Sequence, residues 1–134
     1  MTPAEDFVRR FAAFWSAPDP ARLDGLLADD VDLVQPLSAA THGIDEARGA
    51  FRRLLAQFPD LRATVDRWSG DGVHVFIEFR LRGTIGSDVI EWPAVDRFTL
   101  RGDKATERVS YFDPLPLMGK LLWHPIAAWH AIRG

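Results

Sequence analysis

Phe7, Phe11, Phe14 and Trp15 recur at helical spacing behind Thr2-Pro3-Ala4-Glu5, a run that predicts an amphipathic helix over residues 3–16. Thr2 and Glu5 have capping-box spacing, and Pro3 takes the first helical position, where its missing N–H costs nothing. Pro18 ends this helix. Asp19-Pro20 begins a second, short one that holds Leu23, Leu26 and Leu27. VDLVQ (31–35) reads as a brief strand stopped by Pro36. After the loop LSAATHG, the spacing of Ile44, Ala47, Phe51, Leu54, Leu55 and Phe58 predicts a third helix closed by Pro59.

The period then falls to two. LRATVDRW (61–68) alternates, SGDG turns, and VHVFIEFRLR (73–82) places Val73, Val75, Ile77, Phe79 and Leu81 on one face. TIGSD leads into a strand over 89–101, RGDK turns again, and ATERVSYF (105–112) is the last strand. The expected order is helix, helix, strand, helix, then four strands joined by hairpin-like turns. That is an α+β arrangement in one domain spanning 1–134, with 114–134 as a C-terminal extension. The extension is apolar but broken by Pro114, Pro116 and Pro125. Two short helices are expected there, packed on the sheet, across a dimer or over a pocket mouth.

One position breaks the alternation. In EWPAVDRFTL (91–100), Asp96 shares a face with Trp92, Ala94, Phe98 and Leu100. An ionised carboxylate in such a row is costly unless it is paired, hydrogen-bonded or held neutral. If the RGDK turn leaves three residues outside the ladder, Asp96 lies opposite Ser110 and Phe98 opposite Arg108. Arg108, Ser110 and Phe112 then share its face. Two readings stay open: an Asp96–Arg108 ion pair that braces the sheet, or a pocket acid whose proton affinity burial raises and Arg108 lowers.

Composition narrows the functions. The chain has 134 residues, net charge −3 and scattered arginines with no basic stripe, which argues against nucleic acid as a partner. It has no cysteine, so disulfides, thiolate metal sites and cysteine nucleophiles are excluded. No stretch is apolar enough for a membrane span, and the N-terminus lacks signal-peptide character, so a cytoplasmic location is expected. HExxH, EF-hand, phosphate-loop and GxSxG patterns are absent, and His124 and His130 fall on different sides of a helix. Neither a metal nor an organic cofactor is expected.

The element order, with ADDVDLVQP after two helices and VDRFTLRGDKATERVSYFD in the final hairpin, resembles the nuclear transport factor 2-like superfamily. Within it the chain looks most like the SnoaL-like and ketosteroid-isomerase-like proteins. The resemblance extends to about residue 113. It implies a cone: a strongly curved, mainly antiparallel sheet wrapped around three helices, with an apolar pocket at the open end. It also implies a homodimer through the outer sheet face.

By the same resemblance, Asp96 stands where the isomerases hold a protonated aspartic acid in an oxyanion hole and the polyketide cyclases a histidine. Other positions depart. Gln35 occupies the place of the isomerases' general-base Asp, and Phe11 that of their oxyanion Tyr. Ser110 stands where the cyclases and the limonene-type epoxide hydrolases carry a catalytic Asp, and Phe79 and Leu81 occupy the neighbourhood of the hydrolases' Arg and second Asp. Each of these chemistries lacks its base here.

The resulting expectation is a small-molecule enzyme of isomerase, cyclase or dehydratase type, acting by proton transfer on an apolar, polycyclic or terpenoid-like ligand. Asp96 and Arg108 are its catalytic candidates. Gln35, Ser110, Trp92, Phe98, Phe112, Phe11, Trp15 and Phe79 are its candidate ligand contacts. A non-catalytic ligand-binding or dimerising module of the same fold is the alternative. His42 reads as a surface loop residue, His74 as outward-facing, and Glu78 and Arg80 as outer-face ion-pair partners.

Overall fold

The computed structural model describes residues 1–123, in the order α1 (Pro3–Ser16), a 3-10 helix (Pro20–Gly25), β1 (Leu27–Val34), β2 (Thr41–His42), α2 (Ile44–Gln57), β3 (Arg62–Gly70), β4 (His74–Ile85), β5 (Asp88–Arg101), β6 (Lys104–Tyr111) and α3 (Leu115–Trp123). The second expected tail helix, with His124 and His130, lies outside the described residues. No described helix is long and apolar enough to cross a membrane.

The capping box at α1 is formed: Glu5 N–H donates to Thr2 Oγ1 at 3.1 Å, and Thr2 N–H to Glu5 Oε2 at 3.2 Å. The helix buries Ala4, Phe7, Val8, Phe11, Phe14 and Trp15. Its aromatic ridge meets the sheet edge-to-face, Phe7 on Phe98 at 4.8 Å and Phe11 on Phe79 at 5.2 Å between ring centres.

The six strands form one sheet in the order β2-β1-β6-β5-β4-β3. All neighbours are antiparallel except β1 and β6, which run parallel, so the sheet is mixed. Along β4 and β5 burial alternates without a break, and Val75, Ile77, Phe79 and Leu81 face the core as their spacing predicts. Val73 does not. It precedes β4 and is 52% exposed, because Asp71 Oδ1 accepts from the Val73 and His74 N–H groups and holds that segment as a turn.

Two further elements depart from the pattern. β1 begins at Leu27 rather than at Val31, and β2 is a two-residue strand inside the expected loop. Asp29 and Asp30 mask the start of β1 in a hydropathy reading, although Arg101 pairs with Asp30 at 2.8 Å in the fold. The β5–β6 register is the expected one, with Asp96 opposite Ser110 and Phe98 opposite Arg108, but its cause is different. Only Gly102 and Asp103 lie outside the ladder, Gly102 with φ +67°, the glycine-first pattern of a tight hairpin turn. A bulge at Thr106 then supplies the extra residue.

The β3–β4 hairpin depends on Gly70. A Cβ there would lie 2.4 Å from the His74 carbonyl oxygen and 2.8 Å from Val75 Cα, both backbone atoms that cannot rotate away. Gly70→Ala is expected to cost about 1–3 kcal/mol of unfolding free energy. Urea denaturation measures it, and an unchanged midpoint would show that the hairpin can open without penalty.

Candidate active site

Asp96 is the one buried charged residue among those described, 2% exposed in the middle of β5. The alternation that buries Ala94 and Phe98 leaves it no other direction to point. Ser110, directly opposite on β6, donates its hydroxyl to Asp96 Oδ1. Burial pushes the Asp96 carboxyl above the usual carboxylate range, while the charge of Arg108 and the Ser110 bond pull it back. The net direction is upward.

Arg108 lies one inward position away on β6, opposite Phe98. Burial weighs against its charge and the Asp96 carboxyl supports it, but a guanidinium's ordinary proton affinity is high enough to keep it cationic. The direct Asp96–Arg108 ion pair allowed by the sequence is not the arrangement found. Arg108 Nη2 donates instead to Gln35 Oε1, and the two charged side chains act on each other through space.

Gln35 follows β1, where Val31 and Leu33 are the preceding inward residues. Its amide reaches both ways: Oε1 accepts from Arg108, and Nε2 donates to the Ala39 carbonyl at 2.8 Å. The 35–40 loop is thereby tied to β6. Leu37 within it has φ +71°, a left-handed conformation that costs a side-chain-bearing residue energy and persists only when its surroundings hold it.

The apolar candidates fall into two groups. Phe11, Trp15, Phe79, Phe98 and Trp92 are all buried in the common core, and Phe112 packs against it half-exposed. Phe11 of α1 meets both Phe79 and Phe98, whereas Trp92 packs on Phe58 at 5.7 Å, farther along β5. On the inward face Asp96 and Ser110 form the row next to Phe98 and Arg108, so the polar side chains sit beside the aromatic ones. Two surface depressions among the described residues, of about 460 and 410 Å³, lie elsewhere and contain none of these side chains.

Thr41 escaped the sequence reading. It pairs with Leu33 on the inward face, and its buried hydroxyl makes no hydrogen bond. A two-residue strand has no periodicity to announce it. No cluster of three or more metal-ligating side chains occurs among the described residues.

His42, next to it, faces outward. Its Nδ1 is 2.5 Å from Asp32 Oδ1 on the exposed surface, and that contact raises its proton affinity. The pair's stabilisation is complete below the unfolded-state value of 6.5 and is lost as pH rises through the folded one. A proton-NMR titration is expected to place the His42 midpoint above 6.5, and Asp32→Asn to return it toward that value. A midpoint unmoved by the substitution would contradict the pairing.

Residues 8–108 match the SnoaL-like domain family. Among solved structures, the chain is similar to a protein from Catenulispora acidiphila with a ketosteroid isomerase-like fold, in complex with trimethylamine. The two share 26% identity, with 84% of this chain and 88% of that one covered and a TM-score of 0.75. A Burkholderia pseudomallei nuclear transport factor 2-like protein is 20% identical over 88% and 96% of the chains, with a TM-score of 0.77. TerC co-crystallised with polyporic acid is 18% identical over 88% and 97%, with a TM-score of 0.78. No curated protein sequence matches.

Proposed function

We propose that this chain, which belongs to the SnoaL-like domain family, binds an apolar small molecule beside the polar group on its inner sheet face and rearranges it by proton transfer. The observation that carries this reading is a buried carboxyl whose one hydrogen bond among the described residues comes from a serine hydroxyl. With its proton affinity raised by burial, Asp96 in its protonated form can pass its proton to a ligand oxygen. It becomes a carboxylate beside Arg108, then takes a proton back from carbon. One residue thus serves as acid and then base, as an isomerase, cyclase or dehydratase step requires. Arg108 stabilises the Asp96 carboxylate that exists between the two transfers, and Gln35 and Ser110 orient the ligand.

One feature favours a second reading, in which the site binds without catalysis. Gln35 and Ser110 stand where a separate base would be needed, and neither an amide nor a hydroxyl acts as a base near neutral pH. The outer sheet face belongs to either reading. It exposes Val34, Phe76 and Tyr111, at 42, 45 and 53%, which suits a homodimer interface.

A thermal-shift screen tests the site, using steroids, terpenoids and polycyclic phenols with polyporic acid among them. A ligand at about 100 times its dissociation constant adds roughly 2.7 kcal/mol, several degrees for a domain of this size. Turnover assays on the hits then separate the two readings. Silence across the whole panel would remove the ligand-site proposal.

A further inference from the structure

Two buried polar side-chain atoms among the described residues have no hydrogen-bond partner: Thr41 Oγ1 and Arg108 Nε. They flank the same residue. Leu33 of β1 pairs with Thr41 of β2 on one side and with Arg108 of β6 on the other. Directly paired residues share a face of the sheet, and Leu33 is 1% exposed in the core, so both orphaned groups lie on the inward face. Buried polar groups in folded proteins are nearly always bonded, which makes two exceptions on one row a feature that needs an explanation.

Charge sharpens the point. The Arg108 guanidinium spends Nη2 on Gln35 Oε1, a neutral acceptor. The Asp96 carboxyl takes its bond from Ser110. Among the described residues no carboxylate lies within ion-pairing distance of Arg108, although ten such pairs occur elsewhere in the fold. Arg108 is only partly buried, but its Nε is shut away from solvent with no anion in contact, an arrangement that is destabilising and that a bound anion relieves. The neighbouring surface, Leu33 and Phe98, is apolar.

We propose that Thr41 and Arg108 form a subsite for an anionic oxygen, an enolate, phenolate or carboxylate, carried on an otherwise apolar ligand. This deepens the proposed function and rests on its reading of the inner face as a ligand site. Arg108 Nε supplies a charge-assisted hydrogen bond and the Thr41 hydroxyl a second donor. Leu33 between them, with Phe98 across from Arg108, favours a ligand whose remaining surface is hydrocarbon. A neutral ketone of the same shape leaves the guanidinium uncompensated and binds more weakly.

The test uses matched probes in calorimetry at neutral pH. The ionised members are 2-naphthoate and 2-hydroxy-1,4-naphthoquinone, and their neutral counterparts are 2-naphthamide and 1,4-naphthoquinone. At least one anion is expected to bind the wild-type protein about tenfold or more tightly than its neutral partner. Arg108→Gln should erase that preference. Thr41→Val should weaken the anion roughly three- to tenfold, yet leave the ligand-free melting temperature unchanged or higher, since an orphaned hydroxyl leaves the interior.

A neutral probe bound as tightly as the anion, or no anion bound at all, overturns the proposal. So does a Thr41→Val protein that melts below wild type with unaltered anion affinity, because the hydroxyl is then bonded within the fold. Should Arg108→Gln fail to fold, Thr41→Val alone decides. Asp96→Asn run alongside keeps the two proposals apart. Turnover that survives it sinks the Asp96 chemistry while the anion preference stands. Asp96-dependent turnover with no anion preference removes only the subsite.

Discussion

Asp96→Asn is expected to yield a folded protein with turnover reduced by about 10²- to 10⁴-fold, the usual contribution of a positioned acid or base. The amide keeps the shape of the carboxyl and can still accept the Ser110 hydroxyl at Oδ1, so the loss would be one of proton transfer rather than of packing. Stability makes an independent prediction. The folded Asp96 holds its proton more tightly than an ordinary aspartate, whose value is 3.8, because burial outweighs Arg108 and Ser110. Its contribution to stability is therefore complete below the unfolded value and falls away as pH rises through the folded one. Asparagine carries no such proton. The variant should match wild type at acid pH and overtake it progressively as pH rises. Urea unfolding across that range checks this, and two parallel stability curves would mean that Asp96 titrates as an ordinary carboxyl.

The second large effect is expected at Phe11. Its ring is 1% exposed and lies 5.2 Å from Phe79, 5.6 Å from Phe98 and 6.4 Å from Trp15. It joins α1 to β4 and β5 through one contact cluster. Phe11→Ala should cost about 3–5 kcal/mol through lost transfer energy and the cavity left behind. Against a typical total of roughly 5–15 kcal/mol, that is enough to bring the protein close to unfolding. The measurement also separates two roles assigned to the same ring. A core residue loses stability on this scale. A loss under about 1 kcal/mol, with weakened ligand binding, would instead mean that the ring lines open space and meets a ligand.

Elements whose signal is local could be read along the chain. α1 was legible because a capping box and aromatic spacing sit within one continuous segment. The inward faces of β4 and β5, and with them the burial of Asp96, followed from strict alternation over ten or more residues. The Asp96–Ser110 pairing was also legible, though a two-residue turn and a bulge at Thr106 replaced the three-residue loop that suggested it. The two routes give the same offset, and offset alone sets which side chains meet.

Partners drawn from distant segments are set by the pairing of strands in the folded sheet. Arg108 could have closed on Asp96 along a β5–β6 diagonal. It bonds instead to Gln35, 73 residues earlier, because β1 runs parallel beside β6 and brings Gln35 to the inward side of that strand. Parallel pairing needs a long crossover and leaves no mark at either strand. Thr41 is positioned by a two-residue strand, too short to show a period. Its hydroxyl is buried only because β2 has been folded in beside Leu33 of β1. Periodicity records what a segment does along its own axis, and the polar group on this sheet is built across strands.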